Sequence, residues 1–478
     1  MATAQGSWAP GSLAKRIFFE LGLASLARSP RDVKLLVVQR FVRFVAYGSS
    51  TLVLVSFLGA LGHSRARAGL FMTLTLVGDV LVSLLLSLSA DRLLGRRAVL
   101  VLGAALMAAS GLVFAAAPPS FWVLLAAAVL GVISPSGNEV GPFRAVEESI
   151  VAHLTPAADR SDVYAWSTLA GTAGTAVGAM SCGWAVEGAS TALGWSLLDA
   201  YRAVFLAYAG LGLLKLVLAL ALSPAVEEDE EMSSDSGNHP RGAPNATTPL
   251  LGSEAASQPE AGKTRWWAKL LPRLSPESRG ITAIFCLLFA LDSFASGLAP
   301  WSWVTYYFRS QFSLEEGRLG SLFFTTSIIS AVSVVLASSL AKRLGNVKVR
   351  LSSTMVFTHL PSSIFLALIG TTSSLPLSIL FLVLRACTQN MDAAPRSAFL
   401  AAVLLPGERT AIMGVINVVK TTAQSLGPFI TGVLAGKGLF WASFVCAGSL
   451  KATYDLGLLA VFKNHARARQ GPREEEQP

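Results

Sequence analysis

Charge is what this chain has least of. Asp, Glu, Lys and Arg make up 14% of its 478 residues, where a soluble domain carries about 25%. That shortfall excludes an ordinary water-solvated globular protein. Cysteine is scarce too. Cys182, Cys286, Cys387 and Cys446 are the only four, all in apolar runs and without CxxC spacing, which excludes a disulfide framework and a zinc ribbon. There is no HExxH, no GxSxG and no cluster of His or Cys, so the common hydrolase and metalloenzyme signatures are missing and an enzyme is not expected. No Walker-type glycine loop is present, so the chain has no ATP coupling of its own. No cofactor or metal is expected. Residues 1–33 lack the apolar core of a signal peptide, so the first membrane span is expected to direct insertion.

Apolar residues are abundant, at 53%, in runs of roughly 20, the length of helix that crosses a bilayer core. Twelve spans are expected: 35–60, 68–90, 98–116, 120–142, 162–186 and 200–222, then 280–305, 316–340, 349–370, 374–396, 409–435 and 440–462. The fold class is therefore an all-α membrane protein, twelve transmembrane helices in two pseudo-symmetric six-helix bundles. Residues 1–33 form an N-terminal tail, 34–222 one half, 223–278 a linker, 279–462 the other half and 463–478 a C-terminal tail. The linker opens on Glu227-Glu228-Asp229-Glu230-Glu231 and continues in Ser, Gly, Pro and Asn, a disordered composition. It ends on Lys263–Arg273, where Trp266 and Trp267 among basic residues suit a helix lying on the membrane surface.

The net charge of +9 comes from basic residues between spans, a pattern of membrane topology that excludes a nucleic-acid partner. One set of loops holds Arg92, Arg96, Arg97, Arg160, Lys263, Arg265, Lys342, Arg343, Lys348 and Arg350. The other holds chiefly Arg65, Arg67, Arg309 and Lys437. The richer set marks the cytoplasm, so both termini are expected there. The plasma membrane is the expected location, with the vacuolar membrane as the alternative.

An internal repeat organises the chain. Asn138-Glu139-Val140-Gly141-Pro142-Phe143-Arg144 closes the fourth apolar run, and Asn390-Met391-Asp392-Ala393-Ala394-Pro395-Arg396 closes the tenth. Each then continues to a Leu-x-Pro or Leu-Pro and a further arginine, Leu154-Thr155-Pro156…Arg160 and Leu405-Pro406…Arg409. Charged elbows at equivalent places in two apolar halves point to a duplicated transporter.

Between the second and third spans stands Ala90-Asp91-Arg92-Leu93-Leu94-Gly95-Arg96-Arg97, and between the eighth and ninth Ala341-Lys342-Arg343-Leu344-Gly345. These resemble the loop signature of the major facilitator superfamily, strong in the first half and decayed in the second. Ser87 stands where the family has a leading glycine, and one extra residue separates Arg92 from Gly95. Gly171, Gly174, Gly178 and Gly183 line the fifth span, where the spacing suits close helix packing. The family's antiporter signature places a Gly-Pro pair in that span; here Ala179 follows Gly178, and Gly427-Pro428 falls in the eleventh span instead.

The resemblance implies a secondary transporter similar to fungal and bacterial drug or metabolite transporters, working as a monomer by rocking its halves. Its partners would be the lipid bilayer, a small-molecule solute and protons. It also implies that spans 1, 4, 7 and 10 line the path. Arg43, Asp292 and Arg385 are then cavity residues, with Asn417 and Lys420 beside them. Glu139, Asp292, Asp392 and Asp79 are the candidates for proton coupling, since burial favours a neutral carboxyl. Asp91, Arg92, Gly95, Arg96, Arg97, Glu139, Arg144, Asp392 and Arg396 are the candidates for gating. The alternative for the mid-span charges is mutual neutralisation, with Asp79 or Asp292 paired to Arg43, Arg385 or Lys420. Three cations against two carboxylates favour an anionic group on the solute. His359 reads as a satisfied core histidine, and Trp301, Trp303, Tyr306 and Tyr307 as interface anchors. Export of an organic anion or amphipathic metabolite is the expected function. The alternatives are uptake of a small anion or nutrient, and a transporter-like receptor that does not transport.

Overall fold

The computed structural model describes residues 23–89, 95–116, 119–131, 133, 142–156, 159–227, 275–344, 348–390 and 408–470. These residues are helical, with no strand among them. The first half comprises α1 (Leu23–Arg28), α2 (Arg31–Ala60), α3 (Arg65–Ser89), α4 (Arg96–Ala116), α5 (Phe121–Leu130), α6 (Pro142–Leu154), α7 (Arg160–Thr191) and α8 (Leu197–Leu220). A 3-10 turn at Pro224–Val226 follows. The second half comprises α9 (Pro276–Leu298), α10 (Trp301–Phe312), α11 (Glu316–Leu344), α12 (Lys348–Thr371), α13 (Leu375–Thr388), α14 (Arg409–Gly436) and α15 (Phe440–Gln470). Twelve spans in two six-helix halves result, with α5 and α6 serving the fourth span and α9 and α10 the seventh.

Two spans differ from the sequence expectation. The helix of the fourth run ends at Leu130, short of the expected 142, and α6 is described from Pro142. The seventh breaks at Ala299, whose φ of −128° and ψ of 57° leave the helical region because Pro300 follows. It then restarts as α10 and runs on to Phe312, past the expected end at 305.

The halves repeat in their packing. In the first, α2 packs on α7 and α4 on α8; in the second, α9 packs on α14 and α12 on α15. A Cβ on Gly48 of α2 would lie 2.2 Å from the Thr175 carbonyl oxygen of α7, and a Cβ on Gly297 of α9 2.2 Å from that of Gln424 on α14. The spacings from Gly48 to Gly297, from Thr175 to Gln424 and from Gly178 to Gly427 are identical, so these contacts are copies. Between halves, α7 packs on α11 and α3 on α14. There Gly183 abuts the Glu316 carbonyl and Gly432 that of Arg65.

The apolar core is divided unequally. At the far end of the bundle, where α2 finishes and α3 begins, one continuous cluster takes residues from both halves, including Phe57, Phe71, Phe114, Trp303, Tyr307 and Phe444. At the near end, where α2 begins and α8 finishes, each half has its own cluster among the described residues. Val33, Leu36, Leu100, Ile150 and Val163 form one, and Phe285, Phe289, Ile412, Tyr454 and Leu458 form the other. The far-end cluster corrects the reading of the α10 aromatics as interface anchors. Trp303 is fully buried with its indole N–H donating to Pro428 O at 3.1 Å, and buried Tyr307 donates to Ile369 O at 3.3 Å.

Candidate functional site

Buried charge lies in two clusters, one per half. In the first half Arg43 of α2 meets Glu147 of α6 at 2.8 Å, and Lys215 of α8 stands 3.7 Å from the other oxygen of the same carboxylate. Glu147 is 4% exposed and Lys215 not at all, so one buried carboxylate stands between two cations in a low-dielectric interior. In the second half Asp292 of α9 accepts from Lys451 of α15 at 2.6 Å, both buried. Arg43 thus meets Glu147, Lys215 stands by the same carboxylate and Asp292 meets Lys451, three residues that the sequence reading did not single out as partners. Arg43 and Asp292 share the spacing of the glycine copies, and the lysines sit in matching Gly212-Leu-Leu-Lys215 and Gly448-Ser-Leu-Lys451 stretches. The clusters are thus pseudo-symmetric. Where the second half has a carboxylate facing a lysine, the first has an arginine, and Glu147 supplies the missing negative charge.

Asp79 of α3 is different. It is 2% exposed, and neither carboxylate oxygen meets a hydrogen-bond donor among the described residues. Tyr208 of α8, which donates to Gly131 O at 3.3 Å, lies in the electric field of both Asp79 and Arg43.

Arg385 of α13 is half-buried in the wall of a cavity of about 20 Å³, with Gln389, Thr326, Trp301, Phe323 and Leu382. Its guanidinium has no carboxylate partner among the described residues. Lys420 of α14 instead lies over the Phe289 ring at 5.5 Å, and Asn417 is exposed on the same helix. His359 is a satisfied core histidine: Nδ1 meets Asp455 Oδ1 at 2.8 Å, and Ser363 donates to Asp455 Oδ2 at 3.1 Å.

At the near end, Glu227 accepts from the backbone N–H groups of Arg96 and Arg97, both at 2.8 Å. A carboxylate there suits the positive end of α4. Gly95 makes the approach possible, with a φ of +74° and a notional Cβ 2.6 Å from Glu227 Oε2. The Arg97 guanidinium donates to Leu220 O at 2.6 Å. The described part of the signature loop is thus held by the start of the linker. Asp91, Arg92, Glu139, Asp392 and Arg396 lie outside the described residues, as does the side chain of Arg144.

At the far end, the halves are tied by groups that the sequence reading missed. Glu187 of α7 accepts from the Gly317 N–H of α11 at 2.8 Å, and Tyr201 of α8 donates to Glu316 at 3.1 Å, which also pairs with Arg309 at 2.7 Å. Arg65 of α3 donates to Ala435 O of α14 at 2.9 Å. A carboxylate three or four residues from a helix end looks solvated in sequence, and its partner lies in the other half. For the buried lysines a signal did exist, the repeated Gly-x-x-Lys.

Two six-helix halves that repeat one another's packing and carry buried charge in each define the class of secondary membrane transporters. The family model of the Major Facilitator Superfamily matches residues 36–351, and the chain belongs to that superfamily. An uncharacterized membrane protein of Saccharomyces cerevisiae, YJR124C, is 39% identical over 456 residues, 94% of this chain and 97% of the relative. Among solved structures, the nucleoside transporter NupG is similar with a TM-score of 0.62 at 15% identity, over 91% of this chain and 100% of that one. The inward-open xylose transporter XylE from E. coli has a TM-score of 0.60 at 14% identity, over 89% and 95%. At these identities the likeness is one of fold.

Proposed function

We propose that this chain is a proton-coupled transporter that exports a small organic anion by alternating access. The observation that carries the reading is the division of the apolar core among the described residues, shared at the far end and separate at the near end. A body joined at one end and divided at the other is built to rock about its middle. With the termini cytoplasmic, as the Lys and Arg distribution favours, the near end is the cytoplasmic mouth and this conformation is the loading state of an exporter. The inward-open XylE shares the fold. Uptake would run the same cycle in reverse. The chain works as a monomer in the plasma membrane on this reading.

Arg385 supports an anionic solute, being a cavity cation without a carboxylate partner among the described residues. Asp79 supports proton coupling, since a buried carboxyl that meets no hydrogen-bond donor among the described residues is costly when ionised and suits a proton. Asp292 is a second proton site on this reading, because protonating it would release Lys451. The test is flux of labelled carboxylates in proteoliposomes under an imposed pH gradient. Gradient-driven flux that loses its pH dependence in Asp79→Asn is expected. Flux indifferent to the gradient would remove the coupling, and binding without flux would favour a receptor.

A further inference from the structure

We infer that the Arg385 cavity is a head-group pocket for one carboxylate and that the solute is a monocarboxylate. The inference rests on the anion reading above and narrows it. The guanidinium presents five N–H donors in a planar fork, and among the described residues none of them has an acceptor. Two carboxylate oxygens match that fork better than any neutral acceptor does.

The rest of the pocket limits what the head can be. Its volume of about 20 Å³ holds one or two waters, enough for two carboxylate oxygens and too little for a tetrahedral phosphate. The other polar side chains of the lining add no cation. Thr326 uses its hydroxyl proton on Phe323 O at 3.1 Å, and Gln389 directs its amide at Ser330 at 3.3 Å. A second negative charge would therefore be buried without a counter-charge. The remaining wall is apolar, with Trp301, Phe323, Val304 and Leu382, so the cavity takes the charged head and the rest of the solute lies outside it.

The experiment is ligand binding to the full chain in lipid nanodiscs, read by calorimetry and thermal shift. The probes are benzoate, benzamide, phthalate, acetate and inorganic phosphate. Benzoate is expected to bind about tenfold tighter than benzamide or more, the difference a charge-assisted pair makes. Phthalate, acetate and phosphate should all bind more weakly than benzoate. Arg385→Gln should abolish the preference for benzoate over benzamide, and Arg385→Lys should restore only part of it. Benzamide binding as tightly as benzoate, phthalate or phosphate binding more tightly, or a preference that survives Arg385→Gln would overturn the assignment. If Arg385→Gln fails to fold, the order of the five probes on the unaltered chain decides. Binding needs no rocking, so a chain that binds benzoate but moves nothing keeps this pocket and loses the transporter reading. Anion flux indifferent to Arg385→Gln does the reverse.

Discussion

Asp292 and Lys451 meet at 2.6 Å between α9 and α15, each 8% exposed. Removing Lys451 takes the 2.6 Å counter-charge from a buried carboxylate, so Lys451→Met should lower stability by up to about 3–5 kcal/mol. The double variant Lys451→Met with Asp292→Asn should recover much of that loss in thermal or denaturant unfolding, and a double variant no better than the single one would separate the two residues. Glu408, which caps α14, behaves oppositely with pH. Hydrogen bonds from the Ser278 side chain first and the Ser275 backbone next hold its carboxyl below the ordinary glutamate value. Its folded value is thus lower than its unfolded one, so its contribution is present above about pH 4.3 and is lost as pH falls through the folded value. Glu408→Gln should flatten the acid side of the stability curve and leave the alkaline side alone. Arg43, Asp292 and Arg385 could be picked from the sequence because a charge inside a 20-residue apolar run stands out. Their partners could not, because pairing depends on helices far apart in the chain. Glu147 sat in the elbow stretch among other charges, with nothing to show that it alone turns inward.

Helices were legible wherever the apolar run was long and uninterrupted. The break at Pro300 was missed because Trp, Val, Tyr and Phe follow it and continue the apolar signal. The glycines of α7 have a physical role on two faces. Gly178 lies against the Val45 carbonyl of α2, and Gly183 against the Glu316 carbonyl of α11, with notional Cβ distances of 2.1 and 2.2 Å. The first contact is within a half and the second between halves, so their substitutions should differ. Gly178→Val should lower stability. Gly183→Val should prop the far end open with the fold retained, raising far-side thiol labelling of a Ser321→Cys probe. Unchanged labelling would mean that α7 and α11 part elsewhere.

At the scale of the whole molecule, the two halves are held at the far end by a shared apolar cluster and by polar ties of modest strength. Across the halves Tyr201 donates to Glu316 at 3.1 Å and Arg65 to Ala435 O at 2.9 Å, and a hydrogen bond of this kind contributes about 1–2 kcal/mol. Ties that weak can be exchanged for others when solute or a proton favours the opposite state. The six-plus-six plan was legible because duplication left matching elbows and loops. The conformation was not, because which end is closed depends on packing between halves, and glycines and apolar residues look alike at both ends.

The rocking of the halves is tested most directly by spin-label distances in nanodiscs, with one pair across each end. Leu193→Cys with Lys437→Cys reports the far end, and Arg31→Cys with Gly280→Cys the near end. On addition of benzoate and a change of pH, the far-end distance should lengthen as the near-end distance shortens. Distances that stay fixed, or that change in the same sense at both ends, would contradict alternating access between these two halves.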